Sequence, residues 1–264
     1  MENSTYLPPV DQLLTYGDCL ELQRKKKKPD YVTELQLTAE QIPELIRMAT
    51  DPELLWADSE SLEVWAPIHA WRSLGQLRAE AAIEPLISLF DHNDDDDWIG
   101  TELPSSLGKI GAVAIPHLQA YLTDQSHDYW SRATANDALK EIGINHPEAR
   151  ADVVAALMQA LEQFKQNSTV LNGFILASLL DLKAVEAAPL IERAFAANRI
   201  DESIAGDWGD VQVDFKLKSR AELPQPPKSM QEMLSYFHVT SPTPKRQAAQ
   251  GFAAQPKLSK KRRK

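Results

Sequence analysis

Apolar and polar residues first recur with a helical period after Thr38. The stretch from Thr38 to Gln41 fits a capping box, in which the Gln41 side chain reaches back to the backbone of the cap residue. Behind it, Ile42, Leu45 and Ile46 fall three and four positions apart, which is the spacing of one helix face. The pattern predicts a helix behind this cap. Asp51-Pro52 predicts a second helix start, since proline is tolerated in a first turn.

Between about residues 61 and 199 the same phrase recurs four times. Leu77, Ile110, Ile142 and Leu182 occupy equivalent positions, with separations of 33, 32 and 40 residues. Each copy predicts two helices joined by a short turn. The first (outer) helices are predicted near 61–77, 97–110, 128–142 and 168–182, and the second (inner) helices near 80–91, 113–123, 149–164 and 185–197. A helix pair of this length cannot bury its own apolar face, so the copies must stack side by side.

The repeats predict an all-α fold, a right-handed α-α superhelix of the α-solenoid type. We divide the chain into an N-terminal leader or cap (1–37), the repeat solenoid (38–200), an extended capping segment (201–218) and a disordered basic tail (219–264). The extended segment is predicted because Val211, Val213, Phe215 and Leu217 alternate with polar residues, a period typical of strands. The tail is rich in proline, glutamine and lysine, a composition typical of disorder.

Charge is distributed unevenly over the 264 residues, whose net charge is −10. From Lys216 to Lys264 there are 12 basic and 2 acidic residues, so the preceding part carries −20. An acidic body repels phosphate backbones, and nucleic acid is therefore expected only at the tail. No secretory signal or membrane span is recognised. Cys19 is the one cysteine, which excludes an internal disulfide and favours the cytoplasm.

Two polar clusters are candidate sites of chemistry. The run Asp94 to Asp97 is attractive to a hard cation, but its spacing does not fit an EF-hand loop, and a solvated loop that caps the next helix is preferred. His69 shares a helix face with Trp65 and Ser73. Without a carboxylate one turn away to orient it, we expect His69 to pack between repeats, at the rim. We therefore predict no catalytic residue, cofactor or metal site, and leave an enzymatic activity uncertain.

The six tryptophans are read mainly as packing residues. Trp71 follows the helical spacing of the core, whereas Trp98 and Trp130 stand near the starts of first helices and are expected to seal loops. Residues off the apolar stripe of the second helices are expected to face a concave groove. These candidate protein-binding residues are Glu84, Ser88, His117, Tyr121 and Arg193.

The repeated phrase resembles HEAT-like repeats of the short bacterial type found in phycobilisome lyases. The matching residues are Leu74-Gly75, Leu107-Gly108 and Ile142-Gly143 at the ends of first helices, and the Pro85, Pro116 and Pro189 motifs at the starts of second helices. The resemblance covers roughly residues 40–200. It implies an interaction scaffold, coupled in some members to bilin attachment or to phycobilisome turnover.

Three functions follow as hypotheses. The first is a scaffold or adaptor that binds another protein, of unknown identity, on the concave face of the second helices. The second is a bilin lyase or chaperone-like relative of the phycobilisome lyases. The third is contact with nucleic acid or the ribosome through the basic tail. The oligomeric state is left open.

Overall fold

The computed structural model describes residues 6–25, 29–92 and 97–223. The described residues contain helices and turns but no strand, and none of their helices is long and apolar enough to cross a membrane. The α-helices are α1 Cys19–Arg24, α2 Tyr31–Glu34, α3 Ile42–Ala49, α4 Pro52–Leu55, α5 Ala66–Gln76, α6 Ile83–Ile87, α7 Asp97–Ile110, α8 Ile115–Thr123, α9 Tyr129–Asn145, α10 Arg150–Glu162, α11 Thr169–Asp181, α12 Ala188–Ala196, α13 Glu202–Ala205 and α14 Trp208–Asp214. Short 3-10 helices cover Val10–Thr15, Ala39–Gln41, Glu63–Trp65, Glu80–Ala82, Phe90–His92, Ala112–Ala114, Pro147–Ala149, Val185–Ala187 and Arg220–Glu222.

The four predicted helix pairs are confirmed as α5/α6, α7/α8, α9/α10 and α11/α12. The predicted capping box at Thr38 is also present, with the Gln41 side chain accepting from the Thr38 backbone at 2.8 Å. In each of the four pairs, a single 3-10 turn precedes the second helix. Pro116 and Pro189 lie in the first turns of α8 and α12. Their missing N–H groups therefore cost no helical hydrogen bond.

The helices form two layers, in agreement with an α-solenoid. In the first layer, α3, α5, α7, α9, α11 and α13 pack in chain order, each on the next. In the second layer, α6, α8, α10, α12 and α14 do the same. One continuous hydrophobic core runs between the layers from Tyr6 to Val211. No pair has a core of its own, as the repeat pattern predicted; the predicted handedness of the superhelix stays a prediction.

Glycines of the repeated motif let neighbouring first-layer helices approach closely. A Cβ atom at Gly75 would lie 2.9 Å from the backbone oxygen of Ser106 on α7. At the equivalent Gly108 it would lie 2.6 Å from the Cβ of Glu141 on α9. Real Cβ atoms do not approach other atoms so closely, so a larger residue would force the helices apart. The motif therefore sets the spacing of the first layer.

The N-terminal segment packs on the first repeats as a cap. Tyr31 and Leu13 are fully buried in the common core. The Tyr6 hydroxyl donates to Asp51, and the Arg47 guanidinium lies 3.9 Å from the centre of the Tyr6 ring, a cation–π contact. Residues before Thr38 thus close one end of the stack.

The extended segment predicted at 201–218 is wrong, because the chain there is helical. Asp207 and Asp210 form a capping box that starts α14. Val211 is fully buried and Trp208 and Phe215 pack against the core. These three residues recur at i, i+3 and i+7, which is a helical period, and the capping box decides between this period and the alternation that also fits the sequence.

Helices α13 and α14 extend the two layers in the same order as the preceding pairs, α13 on α11 and α14 on α12. The Arg220–Glu222 turn belongs to a separate unit of the chain, 220–264. Most of the predicted disordered tail, residues 224–264, lies outside the described residues.

Candidate functional site

Three of the five predicted binding residues line one cleft on the second layer. Glu84 on α6 and His117 and Tyr121 on α8 lie along it. Its remaining walls come from Ile87, Pro116, Ala120, Asp124 and His127, and it has a volume of about 360 Å³. This volume lies at the low end of the range of ligand pockets. The cleft therefore has room for one or two side chains of a partner.

The sides of the cleft are held by polar contacts between repeats. Glu84 pairs with His117 across the gap between α6 and α8. Tyr121 donates to Asp91 at 2.6 Å, and Asp91 also lies 2.9 Å from Nδ1 of His127. The ring of His127 stacks on that of Tyr121, with 3.9 Å between their centres and 18° between their planes. The cleft is thus shaped by contacts within the chain itself.

Tyr121 occupies a different place from the one expected of a surface anchor. Its side chain is only 9% exposed, with Phe90 packed edge-on against its ring. Burial, together with the hydrogen bond to the Asp91 carboxylate, raises the pKa of Tyr121 well above its ordinary value. Tyr121 is therefore neutral, and it positions Asp91 through its hydroxyl and His127 through its ring.

The other two predicted residues lie outside the cleft. Ser88 is exposed on the second layer, and its hydroxyl donates to the backbone oxygen of Pro85 at 2.7 Å. Arg193 on α12 is exposed and pairs with Glu162 on α10 at 2.7 Å. All five predicted residues lie on second-layer helices or at their ends, but the structure does not bring them into one site.

A buried polar cluster at the N-terminal end of the stack was not predicted. His69 is fully buried, so its expected place at the rim is wrong. Its Nε2 lies 2.8 Å from the backbone oxygen of Gly17, and its Nδ1 lies 2.8 Å from the hydroxyl of Tyr31. A carbonyl oxygen only accepts, so Nε2 carries the proton and Nδ1 accepts from Tyr31. Desolvation by burial lowers the pKa of His69 to about 4.

Cys19 lies against His69 in the same cluster, 3.7 Å from its Nε2. The pair is not an activated nucleophile. Burial raises the pKa of the Cys19 thiol to about 12, and a thiol must lose its proton to react. Beside the pair, Arg72 donates twice to Glu102, at 2.6 and 2.8 Å. The cluster joins the N-terminal segment to α5 and α7, which is a structural role.

Sequence periodicity had no means of finding this cluster, because Gly17, Cys19 and Tyr31 reach His69 from about 40 to 50 residues away. One signal was present. Small residues at Ala66, Ala70 and Ser73 surround His69 on α5, which is typical of a helix covered on more than one side.

The remaining candidate features are placed as follows. Trp71 is fully buried, as predicted, and Trp65 and Trp98 pack edge-on with their ring centres 5.4 Å apart. Trp130 stands at the start of α9 and leans on Phe174. In 6–25, 29–92 and 97–223, no group of three or more His, Cys, Asp or Glu residues is arranged to hold a metal ion. Most of the run of aspartates lies outside these ranges, at 94–96.

Residues 70–92 match the family model of the PBS lyase HEAT-like repeat. The matched residues are the end of α5, the turn after it, and α6. The match supports a HEAT-like repeat protein. The match contains Glu84 and Ser88, together with the Leu74-Gly75 motif of the first layer. No curated protein and no solved structure matches the chain.

Proposed function

We propose that this HEAT-like protein is a cytoplasmic scaffold that binds another protein on its second layer. The observation that carries the proposal is the cleft between α6 and α8, where residues selected from the repeat pattern come together. The matched HEAT-like repeat supports the same reading, since stacked repeats offer long surfaces for partners. The buried, protonated Cys19 thiol is in keeping with a reducing compartment.

Photo-crosslinking from defined positions tests this proposal. A benzoylphenylalanine placed at exposed Ser88 or at exposed Ala155 on α10 reports on the second layer, and one at exposed Ile144 on α9 is the matched control. After irradiation of cells that produce the protein, we expect the same partner to be identified by mass spectrometry from both second-layer positions. Glu84→Lys should reduce its yield. A partner captured from Ile144 alone would contradict the proposal.

The family match favours a second candidate, a relative of the phycobilisome lyases. Under this alternative the chain would position a bilin or its acceptor protein, and the attachment thiol would be on the acceptor. Cys19 is unsuited to that role here, because its thiol is buried and stays protonated. Co-expression with a phycobiliprotein subunit and a bilin source tests the idea by visible absorbance, and an unchanged spectrum would rule it out.

A further inference from the structure

We propose that the cleft between α6 and α8 binds an arginine-bearing basic segment of the partner, an inference that rests on the proposed function. Three features favour such a partner: the exposed carboxylates at the cleft, the negative charge of the layer around it, and exposed aromatic residues in neighbouring segments of the chain.

Three carboxylates at or beside the cleft are exposed to solvent, and each lies against a histidine ring, Glu84 against His117 and both Asp91 and Asp124 against His127. The side chains of Glu84, Asp91 and Asp124 are 72%, 51% and 52% exposed. The contacts of Asp91 with the Tyr121 hydroxyl and with Nδ1 of His127 both use its Oδ1. None of the eight residues that line the cleft is lysine or arginine. An arriving guanidinium would therefore share these exposed carboxylates with His117, His127 and Tyr121, but would compete with no lysine or arginine of the cleft lining.

The second layer around the cleft also carries a net negative charge. Its segments 80–92, 112–124, 147–163 and 185–197 contain nine acidic and two basic residues. Both basic residues are already paired, Arg150 with Glu186 and Arg193 with Glu162. Charge complementarity of this kind steers a cationic partner toward the surface and disfavours an anionic one.

Three exposed aromatic residues connect to the cleft region through contacts or along the chain. In the described part of the chain, the large aromatic side chains that are most exposed are Trp56, Tyr129 and Trp130, at 51%, 36% and 37%. The ring of Trp56 packs edge-on against His92, the residue after Asp91. Tyr129 and Trp130 begin α9 directly after the loop that carries His127. Exposed aromatic rings are typical of binding surfaces.

Arginine suits this combination better than lysine. Its planar guanidinium donates two parallel hydrogen bonds to a carboxylate and stacks on aromatic rings, whereas lysine presents a point charge. Ile87, Pro116 and Ala120 give the cleft an apolar floor, on which the methylene groups of the side chain can lie.

Binding of a defined peptide tests the proposal. The probe is a fluorescein-labelled glycine-rich peptide carrying two arginines, and fluorescence polarisation is read with the full chain at about 0.15 M salt, where exposed charges are partly screened. The control peptide replaces both arginines with citrulline, which keeps the shape and removes the charge. We expect the arginine peptide to bind and the citrulline peptide to bind at least tenfold more weakly, as loss of charge-assisted hydrogen bonds implies.

Two matched variants decide whether the cleft is the site. Glu84→Gln with Asp124→Asn removes two negative charges from the cleft, and Asp152→Asn with Glu192→Gln removes two exposed charges elsewhere on the layer. We expect the cleft variant to bind the arginine peptide about tenfold more weakly than the wild type and the control variant to change binding less than twofold. Far-UV circular dichroism confirms that both variants fold.

Other outcomes overturn the proposal. Equal weakening by both variants would show attraction to the whole layer, and equal binding of the citrulline peptide would show that charge is not recognised. Self-association that the cleft variant abolishes would make the occupant a second copy of the chain. If photo-crosslinking from the second layer captures a partner through a neutral or acidic segment, the proposed function stands and this inference fails.

Discussion

Acidification should weaken the N-terminal end of the stack, because His69 is buried without its second proton. Its pKa is about 4 in the folded protein and about 6.5 in an unfolded chain. The unfolded state therefore takes up a proton first as the pH falls. The stability that this residue contributes is complete above pH 6.5 and is lost progressively as the pH falls toward 4.

The two pKa values set the size of the effect. Between pH 7 and pH 5 they correspond to a loss of about 2 kcal/mol in the free energy of unfolding, and below pH 4 the loss reaches about 3 kcal/mol. Since the contacts of His69 come from Gly17, Cys19 and Tyr31, the N-terminal segment and α5 should separate first.

The test compares the wild type with His69→Gln by urea unfolding at pH 7, 6 and 5, followed by circular dichroism. Glutamine keeps a donor for the Gly17 oxygen but does not titrate, so the pH dependence of the variant should be smaller by about 2 kcal/mol over this range. Tyr31→Phe removes the donor to Nδ1 of His69. The pH dependence of its stability should lie between those of the wild type and His69→Gln. Equal pH dependence of the wild type and His69→Gln would refute the assignment of a buried neutral imidazole.

Three further substitutions test the fold, each by the midpoint and free energy of urea unfolding. Gly75→Ala should destabilise by about 1–3 kcal/mol, because the new Cβ meets the backbone of Ser106; an unchanged midpoint would mean that the first layer is not so tightly spaced. Arg78→Gly should stabilise by about 0.5–1 kcal/mol, because Arg78 has a φ of 51°, which glycine adopts without strain; lower stability would contradict this. Asn172→Ala should cost about 2–3 kcal/mol, because its buried amide donates to two backbone oxygens, and a cost below 0.5 kcal/mol would show that these bonds contribute little.

The repeated motif made the helix pairs predictable because its residues meet local steric and hydrogen-bonding requirements. Gly75 and Gly108 occur where two helices come too close for a side chain, and Pro116 and Pro189 occur where a helix start needs no N–H. Each requirement acts within one repeat and its neighbour, so it recurs with the period of the fold and is visible in one sequence.

The candidate site was only partly predictable, because its shape depends on contacts between repeats. Helical spacing correctly placed Glu84 and His117 on the second layer. It gave no indication that Phe90 and His127 would cover Tyr121, since those contacts depend on how the loop after α8 folds back. The burial of His69 was missed for the same reason. The wrong prediction of an extended segment, which rested on residues 211–217, had another cause. A helical and an alternating period both fit so short a stretch.

Neighbouring repeats contact each other differently in the first layer and in the second. First-layer helices meet at glycines, with a helix of the next repeat directly against them. Long side chains bridge repeats in both layers, but the first-layer pair Arg72–Glu102 is largely buried, whereas the second-layer pairs Glu84–His117 and Glu162–Arg193 are exposed. Flexible side chains can lengthen or exchange such bridges at little cost, whereas backbone packed on backbone cannot give way. The stack should consequently bend about an axis that runs along the first-layer glycines. Such bending changes the spacing of the second-layer helices, so that partners of different widths can bind there.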